Sequence, residues 1–595
     1  MLRNLSSWVL SRLTNSDFIV QAPIFGVFFI FSSLTHATAS QPSGGQSEAL
    51  PTTMAEWVAQ ADPSRNRLPE PGVPVEPLPE PPVEEAIPTP PVEPPLDPAI
   101  SDPSLERILI RQIDVTGSTV FAAEDLRQVV EPYENQLLTV AELQAIAAEI
   151  TQLYLSQGYI TSRAELPEQT IDDGVVQIQI VEGGLEAIQI DGTIRLADYV
   201  RSRVGLGAQT PLNQLQLEDQ LRLLASDPLF DSVRGSLRPG TGPGQSLLVV
   251  EVQEADPFSG SIGIDTLSSR SVGQYRIGAT LQYLNLAGLG DRLAASAYRT
   301  TTGGSQVYDL SYQVPISPTN GTVSVRLAPN SFRITDPEEP GFALGINGST
   351  DIYEASVRQP LIRTPREELA LSLGYRYRDG STLISGIVTP PTRSSVLSFG
   401  QDYTRRDPTG AWGLRSQFKL GTAVLDATGG APIRADGTFF GWLGQVQRVQ
   451  VLGPDHLLFI SGDLQLSPDR LLTSEQFFVG GGQSVRGFYQ NARYGDNGAR
   501  LSIEDRITLV RGGENGAPTL QVMPFIDAGY VWNNNPPLPN FSQNLIVGTG
   551  AGVLYNPLPG LSTRVELGIP LVTLDEIPSD RPSGVRVYFD ARYQF

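Results

Sequence analysis

The sequence predicts two α+β repeats followed by a sixteen-stranded antiparallel transmembrane β-barrel. Three observations support this fold class: a strand motif occurs twice, side chains alternate between apolar and polar over residues 256–595, and no segment beyond the N-terminus is a long apolar run. A membrane helix needs roughly 20 apolar residues. Strands that close into a barrel are then the remaining way for this chain to span a bilayer.

The N-terminus has the pattern of a signal peptide, residues 1–39. Arg3 and Arg12 precede an apolar stretch at 24–31, and Ala-Thr-Ala at 37–39 fits a signal-peptidase site. A transmembrane anchor is the weaker alternative, because the apolar run has about half of the roughly 20 residues that a spanning helix needs. We therefore expect the chain to leave the cytoplasm.

Residues 40–104 are expected to connect domains rather than to form one. Proline and glutamate dominate residues 62–104, which predicts an extended, semi-rigid linker. A docking motif for a proline-reading module is the weaker alternative. Residues 53–60 fit a short amphipathic helix with Thr53 near its cap.

Two repeats follow, over residues 105–184 and 185–255. Each contains an alternating strand that ends at a glycine, at 113–117 and at 188–192. A helical apolar stripe and a closing β-rich run come next in both copies: Leu143, Ile146, Ala147, Ile150, Leu153 and 175–181 in the first; Leu217, Leu221, Leu224 and 247–252 in the second. Each repeat is therefore predicted to run β, helices, β, β.

Residues 256–595 alternate as the strands of a membrane barrel do. In residues 369–378, leucine and tyrosine face one way while serine, glycine and arginine face the other. A soluble β-sandwich is the weaker alternative, since it rarely needs so many consecutive strands. Sixteen strands are predicted, with centres near residues 258, 275, 292, 305, 322, 351, 368, 393, 412, 437, 455, 498, 518, 545, 560 and 584.

The connections between these strands are alternately short and long. Short turns are predicted at 286–291, 363–367 and 452–454, and longer connections at 333–350, 379–392 and 467–497. If the chain enters the barrel from the periplasm, this asymmetry leaves the two repeats on that side. The last strand ends on the aromatic residue Phe595, which resembles the recognition signal of bacterial outer-membrane barrels. One misfit is Asp505, which the alternation places on the lipid face.

Two short motifs are candidates for the functional site. The longest connection contains Val485-Arg486-Gly487-Phe488, which is not a phosphate loop because no Gly-Lys-Ser/Thr follows its glycines. The thirteenth strand contains Phe525-Ile526-Asp527-Ala528-Gly529, in which the alternation turns Asp527 into the lumen. An arginine on an inward-folded loop can form a bidentate pair with such a carboxylate.

Composition argues against most other chemistry. The chain has no cysteine, two histidines, one lysine (Lys419) and a formal charge of −22, which excludes disulfides and thiolate metal sites and disfavours a broad grip on nucleic acid. We expect no cofactor, metal or enzyme activity. A hydrolase would need His456 or a carboxylate as its base, and no serine nucleophile is evident near His456.

These features together resemble the two-partner secretion transporters, the haemolysin activation/secretion family of the POTRA-plus-barrel superfamily. The resemblance implies α+β periplasmic POTRA repeats, a barrel in the outer membrane, and a loop whose Arg486 pairs with Asp527 on the barrel wall. It also implies a pore-plugging helix, for which residues 53–60 occupy the corresponding place. The implied partner is a large exoprotein with an N-terminal secretion domain, exported unfolded by a monomeric transporter.

Two other functions remain as alternatives. A factor that inserts outer-membrane proteins shares the loop motif and the aspartate, but it usually has more POTRA units, so two units favour secretion. A passive diffusion porin needs neither periplasmic repeats nor an inward arginine.

Overall fold

The computed structural model of the protein describes residues 107–429, 437–513, 516–534, 543–574 and 584–595. The predicted signal peptide, the helix at 53–60 and the linker at 62–104 lie outside the described residues. No described helix is long and apolar enough to cross a membrane.

The first α/β unit packs two helices on a three-stranded sheet. Its elements are β1 (Ile108–Ile110), β2 (Gln112–Thr116), α1 (Ala123–Val130), β3 (Gln136–Leu138), α2 (Val140–Ser156), β4 (Arg163–Glu165) and β5 (Val175–Val181). Strand β5 pairs parallel with β2 and antiparallel with β4, while β1 and β3 form a separate pair that the sequence pattern did not predict. Helix α2 begins with a capping box: Thr139 Oγ1 accepts from the backbone N–H of Glu142, whose carboxylate accepts from the N–H of Thr139.

The predicted apolar stripe of α2 forms the core of this unit. Leu143, Ile146, Ala147 and Ile150 are buried. Leu153 is only partly buried, because Tyr154 occupies the position that faces the sheet. All members of this core lie within the unit.

The second α/β unit repeats the same topology. Its elements are β6 (Gly184–Asp191), α3 (Ala197–Val204), α4 (Gln214–Ala225), β7 (Phe230–Pro239) and β8 (Gln245–Glu254), with β8 parallel to β6 and antiparallel to β7. Its core includes Leu284 of the first barrel hairpin. Arg195 also donates hydrogen bonds to the carbonyls of Asn285 and Leu286. This unit is therefore packed against the rim of the barrel.

The barrel is closed and has sixteen strands, as predicted. They are β9 (Phe258–Asp265), β10 (Arg276–Leu284), β11 (Arg292–Thr300), β12 (Ser305–Pro315), β13 (Thr322–Leu327) with its continuation β14 (Asn330–Arg333), β15 (Asn347–Arg363), β16 (Glu367–Ile384), β17 (Ile387–Val388) with β18 (Thr392–Asp407), β19 (Gly410–Thr422), β20 (Phe440–Gly453), β21 (His456–Leu466), β24 (Asn497–Gly512), β25 (Ala517–Trp532), β26 (Leu545–Leu558), β27 (Leu561–Pro570) and β28 (Arg586–Gln594). Every pairing between neighbours is antiparallel, and β28 pairs with β9 to close the cylinder. A short helix, α5 (Pro340–Ala343), lies between β14 and β15.

The two faces of the barrel differ as the alternation predicts. On β16, Leu373 is 53% exposed on the outer face, whereas Arg376 and Arg378 line the lumen. The same strand continues to Ile384, so the connection predicted at 379–392 is shorter than expected. The reason is that β16 keeps pairing with β15 as far as Leu383 and then turns back through β17.

Candidate functional site in the barrel lumen

The long connection between β21 and β24 folds back into the lumen as a hairpin. Strands β22 (Phe477–Val479) and β23 (Arg493–Gly495) pair antiparallel inside the barrel. A buried apolar cluster holds this hairpin against the wall formed by β25 and β26. The cluster consists of Leu443, Phe477, Val479, Val485, Phe488, Ala492, Val531, Ile546 and Leu574.

The structure brings Arg486 of the hairpin and Asp527 of β25 together. The guanidinium is bidentate: Nε donates to Oδ2 at 2.7 Å and Nη2 donates to Oδ1 at 2.9 Å. The backbone N–H of Arg486 also donates to Oδ2, at 3.0 Å, and Ser502 donates to Oδ1 at 2.6 Å. Asp527 is fully buried. The aspartate thus fixes both the side chain and the backbone of the loop.

Two further carboxylates contact the same guanidinium. Nη1 of Arg486 donates to Glu504 of β24 and to Glu566 of β27, both at 2.6 Å. Arg564 bonds both glutamates, and Arg506 bonds Glu504. Three arginines therefore face three carboxylates. A buried charge is costly unless it is paired, and this cluster of opposite charges is internally neutral.

The sequence motifs did not reveal these two glutamates. Glu504 and Glu566 lie on strands that are remote from Asp527 in sequence, and only the closed barrel brings them to the same place. A signal was present for Glu504, because it precedes the lipid-facing Asp505 and must face the lumen in a regular strand.

The remaining loop-motif residues fit the chain closely against the wall. Gly487 has a φ of +103°, a conformation that favours glycine. Its N–H donates to the hydroxyl of Tyr588 at 2.9 Å, and that hydroxyl donates to the carbonyl of Phe488 at 2.7 Å. Val485 and Phe488 anchor the apolar side of the hairpin.

The wall motif supplies a surface shaped for this loop. The ring of Phe525 lies under the guanidinium of Arg486, with Cζ at 3.4 Å from the ring centroid, in a cation–π contact. A Cβ at Gly529 would lie 2.9 Å from Cβ of Val479. On β26, a Cβ at Gly548 would lie 1.7 Å from the carbonyl oxygen of Arg486. Glycines on the wall therefore make room for the loop backbone.

Beside the hairpin, the lumen keeps an open cavity of about 1540 Å³. Its wall is rich in serine, glutamine and paired arginine side chains. Such a surface is polar, which suits passage of a hydrophilic or extended solute.

Comparison with known proteins places this architecture in a family. A model of the haemolysin secretion/activation protein family (ShlB/FhaC/HecB) matches residues 244–555, and a model of the ShlB-type POTRA domain matches residues 108–183. The chain belongs to the haemolysin secretion/activation family. The first α/β unit is therefore a POTRA domain, and the second has the same topology.

Individual relatives agree with this family. The outer membrane transporter CdiB of Escherichia coli is 25% identical over 480 residues, covering 79% of this chain and 80% of CdiB. The hemolysin transporter protein ShlB of Serratia marcescens is 24% identical over 443 residues, covering 72% and 76%. The solved structure of CdiB from Escherichia coli has the same fold, with a TM-score of 0.67, 23% identity, and coverage of 85% of this chain and 93% of that one.

The family also distinguishes secretion from barrel assembly, which the fold alone does not. BamA from Haemophilus ducreyi lacking POTRA domains 1-3 superposes with a TM-score of 0.50 at 16% identity, covering 82% of this chain and 100% of that one. The family model and the curated relatives are those of two-partner secretion. This member of the haemolysin secretion/activation family is thus an outer-membrane two-partner secretion transporter with periplasmic POTRA domains.

Proposed function

We propose that this transporter binds an unfolded exoprotein at the sheet edge of its second α/β unit and passes it through the barrel lumen. Its partner is a large exoprotein with an N-terminal secretion domain, and the transporter acts as a monomer embedded in outer-membrane lipid without catalytic chemistry. The observation that carries the proposal is the neutral cluster around Arg486, which seats a loop inside a closed, polar lumen.

The client-binding step rests on strand β7. Among the described strands, only β8 pairs with β7, so the other edge of β7 is open. Helix α4 lies across the face of this strand, since a Cβ at Gly235 would lie 2.6 Å from Leu221 Cδ1. An extended peptide can add to such an edge through backbone hydrogen bonds, which give affinity that depends little on sequence. That property suits an unfolded client.

The export step rests on the charge balance of the loop cluster. Because three arginines and three carboxylates neutralise one another, the cluster exerts little net force on a passing chain of either charge. We infer that Arg486, with Asp527, keeps the loop in one position during transport. Val485, Gly487 and Phe488 shape the loop for that position, and Phe525 and Gly529 shape the wall.

The binding step can be tested with the full-length protein and the secretion domain of its exoprotein. Deleting residues 188–254 is expected to abolish capture of the secretion domain in a pull-down, and retained capture would contradict the proposal. A finer test uses two proline substitutions, Leu237→Pro on β7 and Ile188→Pro on β6. Both residues lie opposite Leu248 of the central strand β8, one at each edge of the sheet, and the alternation of the ladder turns their N–H groups away from β8.

Proline blocks strand addition by removing a backbone N–H. We expect Leu237→Pro to lose capture and Ile188→Pro to keep it, with hydrogen exchange showing that the rest of the sheet is intact in both variants. Equal capture by the two variants would show that β7 is not the binding edge.

A further inference from the structure

The inward hairpin has a second ionic contact with the barrel, on strands that the Arg486 cluster does not touch. Glu475 precedes β22 and is only 5% exposed. Its Oε2 accepts from Nη2 of Arg376 on β16 at 2.5 Å, and its Oε1 accepts from the hydroxyl of Ser394 on β18 at 3.1 Å. A buried carboxylate thus attaches the base of the hairpin to the wall.

The two contacts lie on separate parts of the cylinder. The side chain of Arg486 contacts β24, β25 and β27, whereas the side chain of Glu475 contacts β16 and β18, and strands β19, β20 and β21 lie between these two ionic contacts. The backbone carbonyl of Glu475 also accepts from Nε2 of Gln465 on β21, at 2.9 Å. The two ionic contacts therefore hold the hairpin at separate places along the circumference of the barrel.

The signs of the charges are reversed between the two contacts. The loop carries the cation at Arg486 and the wall supplies carboxylates, whereas the loop carries the anion at Glu475 and the wall supplies Arg376. A hairpin inserted in the opposite orientation would place Arg486 near Arg376 and Glu475 near the wall carboxylates, so like charges would meet. The pair of contacts thus fixes the orientation of the loop as well as its position.

The two contacts differ in strength. Arg486 bonds three carboxylates and also holds Asp527 through its backbone. The side chain of Glu475 accepts from one guanidinium and one hydroxyl, and the charges of Lys419 and Arg378 also attract it. Since each charged hydrogen bond adds to the cost of separation, the Glu475 contact should break first.

We propose that Glu475 is a positioning residue that holds the base of the hairpin against β16 and β18, and that the pore widens on this side when the Glu475–Arg376 pair breaks while the Arg486 cluster stays intact. This role goes beyond exoprotein binding. It is tested by ion conduction, which needs no exoprotein, so its failure would leave the proposed client-binding step untouched.

The test compares isosteric variants of the full-length protein in planar lipid bilayers. Glu475→Gln removes the charge and keeps the shape, and we expect its time in the open state to rise by about tenfold or more. Glu368→Gln is the matched control, because Glu368 also lies on β16 and bonds a wall arginine, Arg358, at 2.5 Å. That control should conduct as the unchanged protein does.

A double-mutant cycle separates a specific pair from general weakening of the barrel. Arg376→Gln should raise the open time as Glu475→Gln does, and the double variant should rise no further than the larger single effect, because both changes break one contact. Thermal unfolding in detergent and heat-modifiable migration establish that each variant is a folded barrel.

Either of two results would overturn the proposal. One is a Glu475→Gln open time equal to that of Glu368→Gln, and the other is a double variant whose effect is the product of the two single effects. If Glu475→Gln does not insert, Arg376→Gln compared with Glu368→Gln decides in the same way.

Discussion

Glu504 and Asp505 are neighbours on β24, yet they have different surroundings. Glu504 is 6% exposed in the lumen and bonds Arg486, Arg564 and Arg506. Asp505 lies on the outer face beside the β20–β21 turn, where Oδ2 is 3.3 Å from Nδ1 of the half-exposed His456. Strand alternation therefore decides whether a charge belongs to a buried network or to a rim contact, and the energies of the two should differ accordingly.

Removing the central cation should have the largest effect. Arg486→Ala leaves Asp527, Glu504 and Glu566 close together, with Arg564 and Arg506 as the remaining arginines that bond the two glutamates. Breaking a buried pair by removing one partner costs about 3–5 kcal/mol, which is enough to release the loop. We expect exoprotein export to fall strongly while the barrel stays inserted, as measured by exoprotein in the medium and by heat-modifiable migration.

Asp527→Ala should act in the same direction, because it leaves Arg486 without its bidentate partner. Protease should cut the released loop in both variants. Normal export by both variants would show that the buried network is dispensable for transport.

Adding a methyl group to the barrel wall beside the loop should also displace the loop, but with a smaller loss of stability than Arg486→Ala. Gly548→Ala would place a Cβ 1.7 Å from the carbonyl oxygen of Arg486, so the loop must shift. Overpacking of this sort costs about 1–3 kcal/mol. Gly453→Ala is the matched control, since nothing lies within 4 Å of a Cβ built there.

Thermal unfolding in detergent and protease access to the loop measure this difference. We expect a lower unfolding temperature and faster cleavage for Gly548→Ala only. Equal behaviour of the two variants would mean that the loop backbone tolerates displacement from β26.

Much of this fold was predictable from sequence, because it depends on local pattern. A period of two residues identified the sixteen strands, and the connection at 467–497 was located between β21 and β24. Alternation also turned Asp527 inward, and the structure places Arg486 beside it. Each of these inferences uses residues that are close together in the chain.

The rest of the site depends on how the cylinder closes. Glu504 and Gly548 lie on the two strands that flank β25, and Glu566 lies one strand further along, on β27. They meet Arg486 only because these strands pair at a particular register. The opposite attachment at Glu475 depends on the path of the loop across the lumen. A sequence pattern fixes the face on which a residue lies, but not which distant residues share its height in the barrel.

Glu182 in the first POTRA domain should have an effect between those of the buried network and the outer pair. Its carboxylate accepts hydrogen bonds from several donors on the periplasmic side. Burial alone would raise its pKa, but donors from the Thr119 hydroxyl, the N–H groups of Thr119 and Val120, and the Tyr154 hydroxyl hold the pKa of Glu182 below the ordinary 4.5. Because the folded state lowers this pKa, the stabilisation is present at neutral pH and is lost as pH falls through the folded value.

We expect hydrogen-exchange protection in the first POTRA domain to decrease on acidification in the unchanged protein. Glu182→Gln should be less protected at neutral pH, and its protection should depend less on pH. Glu124→Gln, an exposed change in the first turn of α1, is the control and should behave as the unchanged protein. A pH dependence that persists in Glu182→Gln would assign the acid sensitivity to another group.

Removing the His456–Asp505 pair on the outer face should have the smallest effect on stability of the changes compared. His456 is half-exposed and makes a single contact with Asp505, so His456→Ala should change the free energy of unfolding by no more than about 0.5 kcal/mol. Export should be unchanged, and thermal unfolding in detergent checks the stability. A loss close to that of Arg486→Ala would mean that lipid desolvates Asp505 and makes its partner essential. In that case the bilayer would reach further toward the β20–β21 turn than the exposure of His456 indicates. Glu504 and Asp505 would then both be buried charges, and they would differ only in which residues pair with them.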